Sequence, residues 1–173
     1  MAKERNPITN SGLRYGIVRV RTMSFFVDET KFRKGVDIKV EFDQNFGLDI
    51  ENEIFELRLR VYSFHGDAPS QKLSEIIVMT AFKVEGLADR FKNERLRLPG
   101  NFIISLLNMS ISHSRALMAQ HTAGTVYQDY ILPIVNPLDV AKVFFPHIFD
   151  GDELKEEAVF ELNQIEIPIA KAK

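Results

Sequence analysis

The chain of 173 residues contains no cysteine. This absence excludes disulfide bonds, thiolate metal sites and a cysteine nucleophile, and it fits a reducing compartment. Long apolar runs are missing as well, because nowhere do about 18 consecutive apolar residues occur. The polar first ten residues lack the apolar stretch of a signal peptide. We therefore expect a cytoplasmic protein without membrane insertion.

Neither sign of charge dominates the chain. Its 22 basic and 24 acidic side chains leave a formal net charge of -2 at pH 7. Proteins that bind nucleic acid usually carry a basic surplus, so nucleic acid is not favoured as a partner. Glycine is also scarce, with nine residues, and no glycine-rich phosphate-binding motif occurs.

Residue patterns for catalysis or metal binding are absent too. The histidines form no HExxH arrangement, although His113 and His121 have a spacing that places them on one helix face. Ser112 and Ser114 flank His113, but sequence neighbours on a helix point away from one another. We expect no metal site, no cofactor and no enzymatic activity. A small-ligand or enzymatic site near His113 and Arg115 stays open as a third hypothesis, with only proximity in its favour.

Strand patterns fill the first half of the chain. Apolar and polar residues alternate with period two in four segments, residues 15–27, 36–43, 55–61 and 73–84. The fourth segment is apolar on both faces, which suggests that a partner subunit buries the second one. Residues 44–52, with Phe46 among them, are rich in turn formers and predict a crossover between strands. An antiparallel meander is the expected arrangement.

Two helices are expected in the second half. Residues 102–120 form a long apolar helix with Asn101 as its N-cap, and residues 138–145 form a short one capped by Asn136. The long helix is apolar on more than one stripe, so one face covers the sheet and another meets a second copy. The predicted oligomer-interface residues are Phe102, Leu106, Met109, His113 and Leu117. The fold class is α+β, with a four-stranded antiparallel sheet and both helices packed on one face.

The connection between the two helices is unusually apolar for a loop. Loops normally face water and are polar, whereas residues 126–135 include two tyrosines and several aliphatic side chains. This pattern indicates a binding surface and not an active site. By composition, residues 1–12 form a flexible N-terminal segment, residues 13–148 form one domain, and residues 149–173 form a C-terminal tail or an added strand.

Five short motifs in the second half resemble, in their order, the C-terminal half of the SecB family of protein-export chaperones. They are Leu98-Pro99-Gly100-Asn101, Ser110-Ile111-Ser112-His113-Ser114-Arg115, Thr122-Ala123-Gly124-Thr125-Val126, Ile131-Leu132-Pro133-Ile134-Val135-Asn136-Pro137 and Phe144-Phe145-Pro146. The family fold, a four-stranded antiparallel sheet with a long and a shorter helix on one side, matches the order of elements predicted above.

The resemblance implies an ATP-independent holdase that assembles as a homotetramer, a dimer of dimers. Such chaperones hold unfolded, export-competent polypeptides in apolar surface grooves and hand them to the protein translocase. The implied client-binding groove consists of Phe46, Val126, Tyr127, Tyr130, Ile131, Leu132, Phe144 and Phe145. The resemblance also implies docking on the translocase motor ATPase through an acidic face of the sheet. The residues implied for this docking are Asp37, Glu41, Asp43 and Glu85.

The chain also departs from the family in two respects. It is nearly neutral where family members are usually strongly acidic, and residues 151–173 do not resemble the usual family ending. One branch of SecB-like proteins serves antitoxins of stress modules, so a dedicated antitoxin chaperone is an alternative. Another alternative is a structural oligomer without client binding, in which the apolar helix and loop are entirely buried in the interfaces between subunits.

Overall fold

The computed structural model describes residues 8–10, 13–130 and 132–161. Its main sheet is antiparallel and consists of β1 (Ile8–Asn10), β2 (Leu13–Val27), β3 (Ile38–Asp49), β4 (Ile54–His65) and β5 (Lys72–Val84). The strand order is β1-β2-β5-β4-β3. The four long strands confirm the predicted sheet, and β1 adds a short hairpin arm against the start of β2. Residues 1–7, 11 and 12 of the predicted flexible segment and residues 162–173 of the predicted C-terminal tail lie outside the described residues.

The remaining elements follow β5 along the chain. They are α1 (Leu87–Arg90), β6 (Phe91–Lys92), β7 (Arg95–Pro99), α2 (Gly100–Thr122), α3 (Pro137–Phe144), β8 (Phe149–Asp150), β9 (Glu153–Leu154) and β10 (Glu157–Glu161). Strands β10, β7 and β6 form a separate three-stranded sheet, and β8 pairs with β9. No described helix combines the length and apolarity needed to cross a membrane.

The crossover between strands lies elsewhere than predicted. Strand β3 runs on to Asp49, because Phe46 and Leu48 continue its inward alternation and are buried. The prediction that residues 44–52 form a crossover is therefore wrong for most of that stretch. The chain crosses the sheet in residues 28–37, which contain a single 3-10 turn at Glu29–Lys31.

The inner face of the sheet is apolar and lies under α2. In β4 and β5 the inward side chains are almost fully buried, and they include Leu59, Val61, Ile76, Val78 and Phe82. Burying such side chains contributes roughly 1.5 to 3 kcal/mol each. Both α2 and α3 pack on this face, as the predicted fold class requires.

The outer face of β5 does not depend on a partner subunit. Met79 and Ala81 point away from α2 but are already buried within the single chain. In register, Met79 is flanked by Arg58 of β4 and Arg21 of β2. Arginine side chains cover apolar neighbours with their aliphatic stems while the charged ends stay in water. This arrangement accounts for an apolar outer residue without a second copy.

Helix α2 begins two residues earlier than predicted. Its N-cap position is Pro99 and not Asn101, and no side chain caps the first turn. Gly100 is required here because a Cβ atom at this position would lie 2.5 Å from the backbone oxygen of Lys155. The helix start and the C-terminal segment therefore touch backbone to backbone. The N-cap predicted for α3 is confirmed, since the Asn136 side chain accepts a hydrogen bond from the Leu138 amide at 3.1 Å.

Candidate functional site

An open groove of about 420 Å³ lies between α3, the second half of β3 and β10. Most of its lining residues are aromatic or aliphatic, but three of the phenylalanines are almost fully buried, so its open surface is more polar than apolar. The lining consists of Gln44, Phe46, Val143, Phe144, Phe145, Pro146, His147 and Phe160. The rim is formed by Val143, which is 75% exposed, and by the half-buried Phe144. We call this feature the α3 groove.

The inner wall of the α3 groove is a cluster of interlocked rings. Phe46 stacks on Phe55 with 5.6 Å between ring centroids, and it meets Phe160 edge to face at 5.5 Å. Phe145 contacts both Phe46 and Phe160, at 6.2 and 6.1 Å. Aromatic pairs at these separations contribute about 0.5 to 1.5 kcal/mol each beyond their buried area. These ring contacts close the inner side of the groove, whereas the rim is open to solvent.

The end of α3 divides its two phenylalanines between the core and the groove. The helix ends at Phe144 because Pro146 follows and cannot continue it. Phe145 leaves helical geometry at φ -131° and turns into the ring cluster. Phe144 remains half-buried at the rim, with its ring almost perpendicular to that of Phe145. Two adjacent residues of the same type thus have different roles.

His147 is a polar group set against this apolar wall. Its ring meets Phe160 edge to face at 4.8 Å, and its Nε2 atom is buried without a hydrogen-bond partner in the described part of the chain. Burial lowers the pKa of His147, and the nearby Lys155 lowers it further. The imidazole is therefore neutral near pH 7, which suits an apolar groove.

The connection after α2 docks on the crossover of residues 28–37, away from the α3 groove. The Tyr127 hydroxyl donates a hydrogen bond to the Asp28 carbonyl at 2.8 Å, and its ring meets Phe32 edge to face at 5.2 Å. The Val126 amide donates to a carboxylate oxygen of Glu29 at 3.0 Å. Burial and the nearby carboxylates raise the pKa of Tyr127 to about 12, so the phenol stays neutral. This side chain serves the fold.

Tyr130 and Leu132 continue this docked connection. Burial, with a smaller contribution from Asp37, raises the pKa of Tyr130 to about 12. The Leu132 side chain is buried, and its carbonyl accepts a hydrogen bond from Arg115 Nε at 3.2 Å. Ile131, also predicted for the groove, lies outside the described residues.

The structure therefore brings only some of the predicted groove residues together. Phe46, Phe144 and Phe145 meet in the α3 groove. Tyr130 lies near Asp37, just before β3, whereas Phe46 lies eight residues beyond the first residue of that strand. At about 3.3 Å per residue, the two groups are roughly 26 Å apart along the sheet. Val126 remains 48% exposed, but Tyr127 and Leu132 are buried.

Five residues of the groove lining were not predicted as site residues, namely Gln44, Val143, Pro146, His147 and Phe160. Phe160 comes from the C-terminal tail. The alternation of Ala158 and Phe160 with charged neighbours indicates a strand, but it does not say where that strand docks. Ile134, which precedes α3 and is 85% exposed, adds apolar surface on the same connection.

The predicted oligomer-interface residues lie at two depths. Phe102 and Leu106 belong to the core of the protomer, where Phe102 meets Tyr15 edge to face at 5.0 Å. They are not free to contact a second copy. Met109, His113 and Leu117 are half-buried on the flank of α2. His113 Nδ1 lies 3.3 Å from the Thr80 hydroxyl, and burial lowers the pKa of His113.

The acidic residues predicted for partner docking do not form one patch. Glu41 and Asp43 share the outer face of β3 with the basic Lys39, and Glu41 accepts a hydrogen bond from the Tyr62 hydroxyl. Asp37 precedes this strand, whereas Glu85 follows β5. Nearby on the same face, Arg60 and Lys72 both pair with Glu75, at 2.7 and 2.6 Å. The outer face therefore carries mixed charge.

Metal ligands do not converge anywhere in residues 13–130 and 132–161, where no group of three potential ligands occurs.

No protein-family model and no curated protein matches the chain. Among solved structures, the chain is similar to the SecB-like chaperone Rv1957 of Mycobacterium tuberculosis, in complex with a ChAD peptide from the Rv1956 HigA1 antitoxin. The sequences are 13% identical, the TM-score is 0.46, and the match covers 70% of this chain and 91% of that chain.

Proposed function

We propose that this protein is an ATP-independent chaperone that holds extended, unfolded polypeptide segments in the α3 groove. The observation that carries the proposal is an open groove with a phenylalanine wall and an exposed apolar rim. Apolar side chains of an unfolded chain can contact the exposed apolar rim, and the open groove imposes no unique shape on them. Each anchor contributes roughly 1.5 to 3 kcal/mol when buried, so a few anchors give micromolar binding with fast release.

The exposed rim extends this surface towards the connection between the helices. Ile134, Leu138 and Val143 are all exposed, and none of them is needed to cover the core. Large exposed apolar side chains close to a groove are typical of sites that bind other polypeptides. Side chains on this rim therefore offer substitutions that affect binding without unfolding the protein.

The deciding experiment measures aggregation of a chemically denatured model client by light scattering, with the protein in few-fold excess and without nucleotide. We expect the wild-type chain to suppress aggregation. The double variant Ile134→Ser/Val143→Ser should lose most of this effect, because Val143 forms the rim and Ile134 adds exposed apolar surface on the connection before α3. Val126→Ser is the matched control, since Val126 is also exposed but lies on the crossover of residues 28–37, away from the α3 groove.

A folded wild-type protein without any effect on aggregation would refute the proposal and favour a structural oligomer. Equal loss in the Val126→Ser control would show that the rim is not the binding surface.

We propose further that the protein acts as a homo-oligomer assembled through β2 and the flank of α2. Among the described residues, β1 pairs only with Leu13, Arg14 and Tyr15, so most of β2 is an open edge. This edge exposes apolar side chains, namely Ile17, Val18, Val20, Met23 and Phe26. A long apolar edge of this kind favours pairing with another strand. Light scattering of the purified chain tests for a dimer of dimers, and Met23→Lys should shift it towards smaller species.

The source of the client follows from the family resemblance alone. Precursors on the way to the translocase are one candidate, and an antitoxin of a stress module is the other. Competition between the denatured model client and a precursor segment or an antitoxin segment distinguishes them. The candidate whose segment displaces the model client at the lower concentration is the preferred one.

A further inference from the structure

The C-terminal strand β10 lies on β7 as an added strand. Residues 157–161 pair antiparallel with residues 95–99, with Phe160 opposite Leu96 and Val159 opposite Arg97. Ala158 and Phe160 point inward and are buried, whereas Glu157, Val159 and Glu161 face solvent. Among the described residues, β10 is the edge of its small sheet, and its backbone pairs there with β7 alone.

Phe160 is the apolar anchor of this strand. Its ring is 1% exposed and lies against Phe46, Phe145 and His147, with centroid distances of 5.5, 6.1 and 4.8 Å. These contacts belong to the wall of the α3 groove. Departure of β10 would uncover Phe46 and Phe145 and lengthen the groove as far as β7.

The charged side chains of β10 match those of β7. Arg97 pairs with Glu157 at 3.4 Å, and Arg95 pairs with Glu161 at 3.6 Å. All four side chains are largely exposed, and exposed pairs of this kind contribute little to stability. They select the register and the charge of the strand that binds, and the backbone pairing and Phe160 hold it in place.

We propose that β10 is a displaceable ligand of its own protein, seated where part of an incoming client segment binds. The partner that fits this site is an extended peptide with a small apolar residue two positions before an aromatic residue. One carboxylate directly precedes the small residue, and another directly follows the aromatic residue. Such a peptide adds to β7 as a strand and inserts its aromatic ring between Phe46 and Phe145. This inference rests on the proposed chaperone function and adds a sequence preference and a self-inhibiting strand to it.

Competition by the tail follows from its covalent attachment. A tethered segment acts at an effective concentration on the order of millimolar, so β10 outcompetes weak peptides. The apparent affinity for a client then equals the affinity of the open form multiplied by the fraction of molecules in which β10 has left. Only clients with several anchors, or a partner that draws the tail away, gain full access to the groove.

The test uses the full chain and takes advantage of its lack of cysteine. Arg97→Cys/Val159→Cys places two thiols on facing positions of β7 and β10, within the spacing that a disulfide needs. The probe is a fluorescein-labelled peptide with the sequence of residues 156–161, Glu-Glu-Ala-Val-Phe-Glu, read by anisotropy. We expect the oxidised, locked form to bind the probe at least tenfold more weakly than the reduced form of the same protein.

Two controls accompany this comparison. Asp43→Cys/Arg60→Cys joins β3 to β4 on the outer face, and its probe affinity should not depend on oxidation. A probe with serine in place of phenylalanine should bind at least tenfold more weakly. In the opposite direction, the full-length Phe160→Ser variant loses its own anchor and should bind the original probe at least tenfold more tightly than wild type.

Equal probe binding by the oxidised and reduced forms would overturn the inference. If the oxidised and reduced forms suppress client aggregation equally well, the inference is also overturned, but the proposed function remains intact. If the reduced form binds the probe more tightly than the oxidised form but neither form suppresses aggregation, β10 is displaceable and the chain is not a general chaperone.

Discussion

The core under α2 and the α3 groove contain the same kinds of side chain but differ in what covers them. Under α2, Phe102 meets Tyr15 and Phe55 edge to face, and all three rings are buried. In the groove, Phe46 and Phe145 are equally buried, but the rim above them is open. Residue type alone therefore does not distinguish the core from the open groove. The element that covers the side chains makes the difference.

Helix length explains the difference between these two regions. Helix α2 has 23 residues and spans several strands, whereas α3 has eight and is stopped by Pro146. At 1.5 Å per residue, the two helices are about 35 and 12 Å long. The short helix does not extend over the whole end of β3, and Phe160 of β10 helps to bury Phe46 there. The α3 groove therefore lies where the helical cover of the sheet ends.

Removing a ring from the core should have the largest effect on stability. Phe102→Ala is expected to lower the free energy of unfolding by about 3 to 5 kcal/mol, because the buried ring is lost and a cavity remains. Phe144→Ala at the rim is the matched change, with an expected loss of about 1 kcal/mol. Urea denaturation followed by circular dichroism measures both. Equal losses would mean that the rim is as much a part of the core as Phe102.

The contact between α2 and the C-terminal segment should come next in size. Gly100→Ala puts a methyl group 2.5 Å from the Lys155 carbonyl, and the expected cost is about 1 to 3 kcal/mol despite the better helix propensity of alanine. Gly16→Ala is the control, since no atom lies within 4 Å of the new Cβ and its φ is not positive. If both variants unfold at the wild-type urea concentration, the segment does not pack on the helix start as described.

A smaller effect is expected from pH. Burial lowers the pKa of His113 and His147 below their ordinary value of 6.5, so the unfolded chain takes up protons at a higher pH than the folded chain. Stability should therefore fall as the pH drops below about 6.5. Thermal unfolding between pH 7.5 and 5.5 measures this loss. It should shrink in His113→Gln/His147→Gln but remain in His121→Gln, whose side chain is exposed.

The rim itself should contribute least to stability. Val143→Ser is expected to change the free energy of unfolding by less than about 0.5 kcal/mol, because this side chain is 75% exposed. The same substitution removes apolar surface from the groove and should weaken client binding. A loss of stability comparable with that of Gly100→Ala would show that Val143 packs within the fold and is not a free binding surface.

Strands with strict alternation were predictable from local sequence. In β4, Phe55, Leu57, Leu59 and Val61 alternate with Glu56, Arg58 and Arg60, and a helix cannot place such apolar residues on one face, so the inner face follows directly. The end of β3 was mispredicted because Asn45 and Gly47 are typical turn residues. Burial of Phe46 and Leu48 by β4 and the ring cluster overrides that local preference.

Three of the eight residues predicted for the client groove, Phe46, Phe144 and Phe145, lie together in the α3 groove. Phe144 and Phe145 stand before a proline, which predicts a helix end near a surface. The family resemblance also implies Tyr127 and Leu132 as groove residues, but the structure buries both. Tyr127 docks on Phe32, nearly a hundred residues away in sequence, and sequence pattern carries no information about such a contact.

By itself, the sequence determined the α+β class, the four long strands, the two main helices and the N-cap at Asn136. These depend on periodicity and on hydrogen bonds between residues close in the chain. Only the tertiary structure decided which apolar residues remain open, because exposure depends on elements that arrive from distant parts of the chain. The clearest case is Phe160, whose strand docks on β7 and places its ring against Phe46, more than a hundred residues earlier.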